Sequence, residues 1–320
     1  MKKSIKVWLI IAVSLILLGS ILFGGVMMKL KWDFSKFSTR KYQENNYEIL
    51  EEYQSVLIKT DTADITFIPS SDQKTSINCY EYQKSKHDVK VVDGTLEIKV
   101  NDTRKWYDYI SIGFASPKIS ISIPEKQYQN LTINSSTSDI TLPENFEFKT
   151  IDILNDTGDV YSKASAVESI KIATSTGKVK IENVVTGSLD LSATTGMIDV
   201  SDVSCSGDVK VCVSTGNVVL TNLTAKNFNS VGNTGKINLS NVVMSEKLSI
   251  ERSTGDVKLD KCDASELFIK TGTGDVTGTI NSEKIFFHKT NTGNVELPQT
   301  LTGGKCEIVT STGDIKIQIG

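Results

Sequence analysis

Histidine occurs only twice in this chain, cysteine five times, and aromatic side chains make up 7% of its 320 residues. Each scarcity removes a class of function. An odd set of cysteines (Cys79, Cys205, Cys212, Cys262 and Cys306) in no ligand spacing forms neither a disulfide framework nor a zinc motif, so neither metal nor cofactor is expected. Spacing leaves one local bridge open, Cys205–Cys212. Cys262 and Cys306 fall in apolar columns and read as small buried hydrophobes. Of the histidines, His288 stands where neighbouring repeats carry isoleucine and reads as a core substitution, and His87 has no evident partner. Charge is nearly balanced, 35 basic against 38 acidic residues, for a net −3. With no basic patch interleaved with aromatics, nucleic acid is excluded as a partner. Phosphate loops and strand–turn–helix nucleophile elbows are absent too.

What the chain does have is a repeat. Thr-Gly pairs end at Gly158, Gly177, Gly196, Gly216, Gly235, Gly255, Gly274, Gly293 and Gly313, at intervals of 19 or 20 residues. Two residues after each glycine comes Val or Ile, from Val160 to Ile315. Seven and five residues before it lie apolar pairs such as Ile170/Ile172, Leu189/Leu191 and Leu248/Ile250. Alternation of this kind is the strand period. A two-strand unit cannot bury its apolar face alone, and stacking identical coils gives each column a matching neighbour. The expected fold is therefore all-β, a parallel β-solenoid of 19–20-residue coils. Degenerate copies at Val56–Phe67 and Leu131–Leu142 extend it, so that ten coils run in sequence order from Leu131 to the C-terminus. The period breaks over residues 70–125. That part still reads as strands, with Asp93-Gly94 as a hairpin turn, and is expected to cap the N-terminal end of the stack.

The N-terminus predicts an address. Lys2, Lys3 and Lys6 precede an uncharged apolar run, Val7–Met28, long enough to cross a bilayer as one helix. A cleaved signal peptide has the same charged start, but the run is long for one and no small-x-small cleavage pattern follows. The expected layout is a cytoplasmic tail at 1–6, a membrane anchor at 7–28, a stalk at 29–48 and an extracytoplasmic β-repeat domain at 49–320.

Four features invite a functional reading. Asp256 and Asp275, like Asp159 and Asp314, directly follow a corner glycine, and stacking brings such carboxylates near one another. That would suit a polysaccharide-acting β-helix enzyme. The same position accepts Asn and Lys elsewhere, as a solvated corner would. The threonine before each glycine is invariant within the chain and is expected to form a buried hydroxyl ladder or a turn hydrogen bond. Trp106, Tyr107, Tyr109 and Phe114 cluster in the irregular part, where they either plug the end of the stack or form a contact loop for a cell-wall glycan or an envelope protein. The last copy, Ser311–Gly320, has no cap, and its free edge is expected to pair with a partner or, end to end, with another copy, or to be blunted by Lys316 and twist.

With these columns in view, the chain resembles the bacterial putative-adhesin β-repeat family, a domain family of unknown function. The likeness rests on segments such as Ser253-Thr-Gly-Asp-Val-Lys-Leu259 and on the opening Lys59–Pro69, and spans about residues 50–320. One anchor followed directly by this domain also resembles membrane proteins of Lia-type cell-envelope stress operons. The resemblance implies an envelope location and a non-enzymatic role, and it supplies no catalytic residues.

Overall fold

The computed structural model describes residues 3–33, 40–110 and 115–320, with Lys3, Tyr109 and Ile110 as backbone only. Helix α1 (Lys3–Lys29) is apolar on all sides and long enough to span a membrane. The rest is one continuous 23-stranded sheet wound into stacked coils. Identical columns pair in parallel register: Ile170 with Leu189, Ile172 with Leu191 and Val179 with Ile198, then Val218 with Ile237 and Phe228 with Leu248. These side chains are fully buried and form one core running the length of the stack.

The central coils contain three inward-facing segments, one more than the two strands read from the sequence. The third is the pair Val184/Thr186 and its equivalents Val203/Cys205, Leu223/Ala225 and Val242/Met244, all buried. It begins at a second corner, six residues after the glycine, where Asn183, Asp202, Asn222, Asn241 and Lys261 adopt positive φ. Asn and Asp tolerate that conformation because their side chains bond locally. Here they also bond along the stack: Asn222 Nδ2 donates to Asp202 Oδ1 (2.7 Å) and Asn241 Nδ2 to Asn222 Oδ1 (2.9 Å).

Both ends depart from sequence order. At the start, strands β1 (Tyr42–Ile49), β2 (Ser55–Thr60), β3 (Asp64–Pro69), β4 (Thr75–Tyr82), β5 (Ser85–Val92), β6 (Thr95–Asp102) and β7 (Lys118–Ile123) form the expected cap. Strands β6 and β7 stack on the outer side of β2 and β3. The antiparallel strands β5 on one wall, and β4 then β1 on the other, extend the two walls further. Residues 42–49, assigned to the stalk from sequence, therefore belong to the sheet, because β4 offers an open edge with which they pair. At the other end the last copy does not lie outermost. Strand Gly304–Thr312 is inserted between Glu266–Thr273 and Lys284–Lys289, so the coil of Gly293 is terminal and that of Gly313 is next to last.

This reordering corrects two expectations. The free parallel edge belongs to Lys284–Lys289 and Val295–Glu296, not to the C-terminal strand, whose Ile315 and Ile317 are buried. His288 occupies a core column of the terminal coil, but no coil covers it, and it is exposed. The Cys205–Cys212 bridge is also overturned. Cys205 points inward and Cys212 outward, and all five thiols are free. Burial pushes the Cys306 thiol up to about 12.

The Thr-Gly corners have no room for a side chain. At Gly255 φ is +147°, and a Cβ would lie 2.0 Å from the Gly235 carbonyl oxygen. Gly255→Ala is expected to lower stability by at least about 2 kcal/mol, from a glycine-only backbone conformation and a forced separation of coils. Urea denaturation checks this. For the thiols, native labelling with a maleimide should modify Cys212 well before the four buried cysteines, and mass spectrometry without reductant should count five free thiols.

Candidate functional site

The corner carboxylates form a ladder. Asp256 Oδ1 accepts the backbone N–H of Asp275 (3.2 Å), and Asp275 Oδ1 that of Asp314 (2.8 Å). The same link joins Asp64 to Asp139, Asp139 to Asp159, Asp159 to Lys178, Asn217 to Lys236 and Asp314 to Asn294. The position favours Asp and Asn because either supplies the oxygen that receives the next coil's amide. Asp275 is exposed and Asp256 partly so. The carboxyl of Asp256 is held below the usual range by Lys236 Nζ (3.1 Å from Oδ2) and by the Asp275 amide. A general acid needs the opposite shift.

The threonine columns are inverted relative to expectation. The invariant threonine before each glycine is exposed, from Thr157 to Thr312, and so is the Ser, Thr or Asn that precedes it in most coils. The residue three before the glycine points inward instead. There Thr271 Oγ1 donates to the Gly255 carbonyl (3.1 Å), Thr310 Oγ1 to that of Gly274 (3.2 Å), and Asn155 Nδ2 to that of Ser138 (2.9 Å). Strict alternation fails because the chain turns at this corner, so two successive side chains face outward. The result is a double row of exposed hydroxyl and amide groups along one edge.

In the same inward column Arg252 is buried. Its Nη1 donates to Val213 O (2.9 Å), two coils away, and its Nη2 to Ser230 Oγ (3.1 Å). The side chain passes over Gly232, where a Cβ would lie 1.5 Å from Nη1. Burial lowers its pKa, and among the described residues no carboxylate pairs with it.

Trp106 and Tyr107 do not plug the stack. Trp106 is 77% and Tyr107 48% exposed, on a short 3₁₀ turn, Trp106–Ile110. Phe114 and the side chain of Tyr109 lie outside the described residues. Asp108 braces the turn by accepting Lys84 Nζ (2.5 Å) and the Lys105 backbone N–H (2.9 Å). Trp106 packs edge-on against Tyr107, with Lys84 and Lys105 about 6 Å from the Tyr107 ring centre. The interior near this end is filled instead by the stacked rings of Tyr53, Tyr128 and Phe148.

The terminal coil is an open apolar surface at the far end of the stack. Phe286, His288, Val295, Leu297 and Leu301 line a depression of about 670 Å³, with Leu301 93% and Phe287 52% exposed.

One polar group inside the cap escaped the sequence reading. Cys79, Glu81 and His87 are buried, and one ligand atom from each lies within 4.8 Å of the others. His87 Nδ1 is 2.7 Å from Glu81 Oε2, which also accepts the His87 backbone N–H (2.7 Å). The opposite ring nitrogen, Nε2, is 2.8 Å from Thr60 Oγ1. Asn45 Nδ2 donates to Glu81 Oε1, and the Tyr47 hydroxyl to the His87 carbonyl (3.0 Å). Burial raises the Glu81 carboxyl, but the hydrogen bonds from His87 and Asn45 outweigh it and hold it below the usual range. Burial and the Glu81 charge push the Cys79 thiol up to about 12. The available signal was Cys79-x-Glu81, two residues on one face of a strand next to a hairpin.

A stacked β-solenoid with flat polar edges, an exposed aromatic turn and an open apolar end belongs to the class of β-repeat proteins. The sequence matches the Toastrack DUF4097 family over residues 53–212 and 206–320, and the chain is a member of that family. Among solved structures it is similar to a putative adhesin from Parabacteroides distasonis ATCC 8503, at 13% identity and TM-score 0.52, covering 88% of this chain and 98% of that one. It is also similar to a putative adhesin from Bacteroides fragilis NCTC 9343 (15%, TM-score 0.44, 87% and 97%) and to a putative lipid binding protein from Parabacteroides distasonis ATCC 8503 (15%, TM-score 0.47, 88% and 98%). No curated protein matches the chain.

The Asp256 environment makes acid stability a test of the ladder. A depressed folded pKa stabilises above the unfolded value of about 4 and loses that contribution as pH falls through the folded value. Asp256→Asn keeps an oxygen for the Asp275 amide and loses only the charge. Its stability at neutral pH should change by less than about 1 kcal/mol, and its loss of stability below about pH 4 should be shallower than that of the unsubstituted protein. Urea melts across this range give both readings.

Proposed function

We propose that this chain is a single-pass, membrane-tethered, non-enzymatic binding and scaffolding module of the bacterial cell envelope. Residues 1–6 form its cytoplasmic tail, 7–28 the span, and the β-repeat domain lies outside the membrane. The observation that carries the reading is the display of Trp106 and Tyr107 on a braced turn, where a buried plug was the alternative. An exposed Trp–Tyr pair presents flat apolar faces for sugar stacking or for a protein anchor, and Lys84 and Lys105 beside it favour a partner with anionic groups. The double row of exposed Thr, Ser and Asn adds repeated hydrogen-bonding sites that suit a polymeric, multivalent ligand such as a cell-wall glycan.

Helix α1 and the basic residues Lys2, Lys3 and Lys6 at its start support tethering with the N-terminus in the cytoplasm. The open coil at Lys284–Leu301 supports self-association at that end, replacing the C-terminal strand as the contacting edge. A role in the envelope stress response follows from the resemblance in domain layout. Catalysis by Asp256 and Asp275 has less support, because their carboxylates are engaged in the surface ladder and that of Asp256 is shifted away from general-acid behaviour.

The test is capture of the full-length protein in lipid nanodiscs by protein-free cell walls and, separately, by solubilised envelope proteins. Trp106→Ala with Tyr107→Ala should reduce capture at least about tenfold, as loss of an aromatic anchor does, with an unchanged melting temperature. Undiminished capture by both preparations would remove the aromatic turn from the contact surface.

A further inference from the structure

We propose that Cys79, Glu81 and His87 form a binding site for a divalent transition metal ion of the zinc class, clamping the two walls of the N-terminal cap together. The topology supplies the ligands. Cys79 and Glu81 are two residues apart on β4 and share its inward face. His87 lies on β5, which belongs to the opposite wall, since β4 pairs with β1 and β7 while β5 pairs with β6. The three ligand atoms already lie within 4.8 Å of one another, and a tetrahedral shell with metal–sulfur and metal–nitrogen bonds of about 2.3 and 2.0 Å, whose ligand atoms are about 3.5 Å apart, needs only a small side-chain contraction.

Charge and chemistry select the ion. A thiolate, a carboxylate and a neutral imidazole carry two negative charges, and a dication makes the buried group neutral. Sulfur with nitrogen suits zinc over magnesium or calcium. On binding, the Cys79 thiol gives its proton to solvent and the His87 ring proton moves from Nδ1 to Nε2, so the metal replaces a proton without any redox step. Thr60 Oγ1, beside Nε2, then accepts a hydrogen bond from Nε2–H and fixes the tautomer that turns the Nδ1 lone pair toward the ion. This is the usual outer partner of a ligating histidine. Three protein ligands leave the fourth position to a water molecule.

The experiment is titration of chelator-treated, reduced, full-length protein in detergent with Co²⁺, followed by Zn²⁺ competition. One ion per chain should bind, with a near-ultraviolet thiolate-to-cobalt band and visible bands of tetrahedral intensity that Zn²⁺ abolishes. The band should survive Cys212→Ser and vanish in Cys79→Ala, and Thr60→Val should weaken affinity about 10- to 100-fold. X-ray absorption of the zinc-loaded unsubstituted protein reads the same shell without any substitution. One sulfur at about 2.3 Å beside nitrogen or oxygen neighbours is expected. A shell without sulfur, no binding, or a band unchanged in Cys79→Ala would overturn the site.

Discussion

Every coil of this solenoid presents a row of backbone N–H and C=O groups along the stack axis, and the next coil must meet them one strand spacing away, about 4.8 Å. That spacing governs the remaining structure. It places each inward side chain directly over its counterpart, so the apolar columns run as Val and Ile ladders. It brings each corner so close to the one beneath that a Cβ would overlap the neighbouring carbonyl. It also makes the corner Asp or Asn oxygen the natural acceptor for the next coil's amide, which turns a solvent-facing position into part of the repeat. Arg252 obeys the same rule by exception. A long side chain fits an inward column only where the coil beneath gives up its own, and Gly232 does so.

A stack held this way must end somewhere, and its two ends are finished differently. At the N-terminal end the chain doubles back, adds antiparallel strands to both walls, and fills the space between them with aromatic rings and then a hydrogen-bonded polar trio. At the other end the last coil is tucked inside the one before it. Insertion protects the C-terminal strand and leaves the Gly293 coil as the outer surface, with apolar side chains where a covering coil would sit. One end is sealed by buried polar contacts, and the other carries an open apolar face.

The columns were legible in the sequence because stacking repeats the same demand in every coil. Val or Ile after the glycine, the apolar pairs before it, the Asp93-Gly94 hairpin and the cap built from residues 70–125 could all be read. The order of the final coils could not, since all coils share one column pattern and any of them can stack on any other. His288 was misplaced for that reason, its column being interior only when a further coil follows. The threonine columns were inverted because alternation was carried through a corner where the chain turns. The second corner was visible in Asn183, Asp202, Asn222 and Asn241, a column of residues suited to positive φ that had no apolar signal to draw attention to it. Cys79, Glu81 and His87 were hidden because their meeting depends on β4 and β5 leaving one hairpin for opposite walls.

The same logic indicates where function resides. In a repeat stack, a residue that fits its column is explained by the stack, and information about anything else is carried by departures from the columns. Asp256, Asp275 and the exposed threonines fit their columns, so their regularity alone does not single out a reaction centre. The braced Trp106 turn and the buried trio of the cap lie outside the column pattern, and the terminal coil, though it follows the columns, has no coil to cover it. The turn and the coil face solvent and the trio ties the cap's walls together. A stiff rod presenting distinct surfaces at separate points along its length is suited to hold partners in fixed relation.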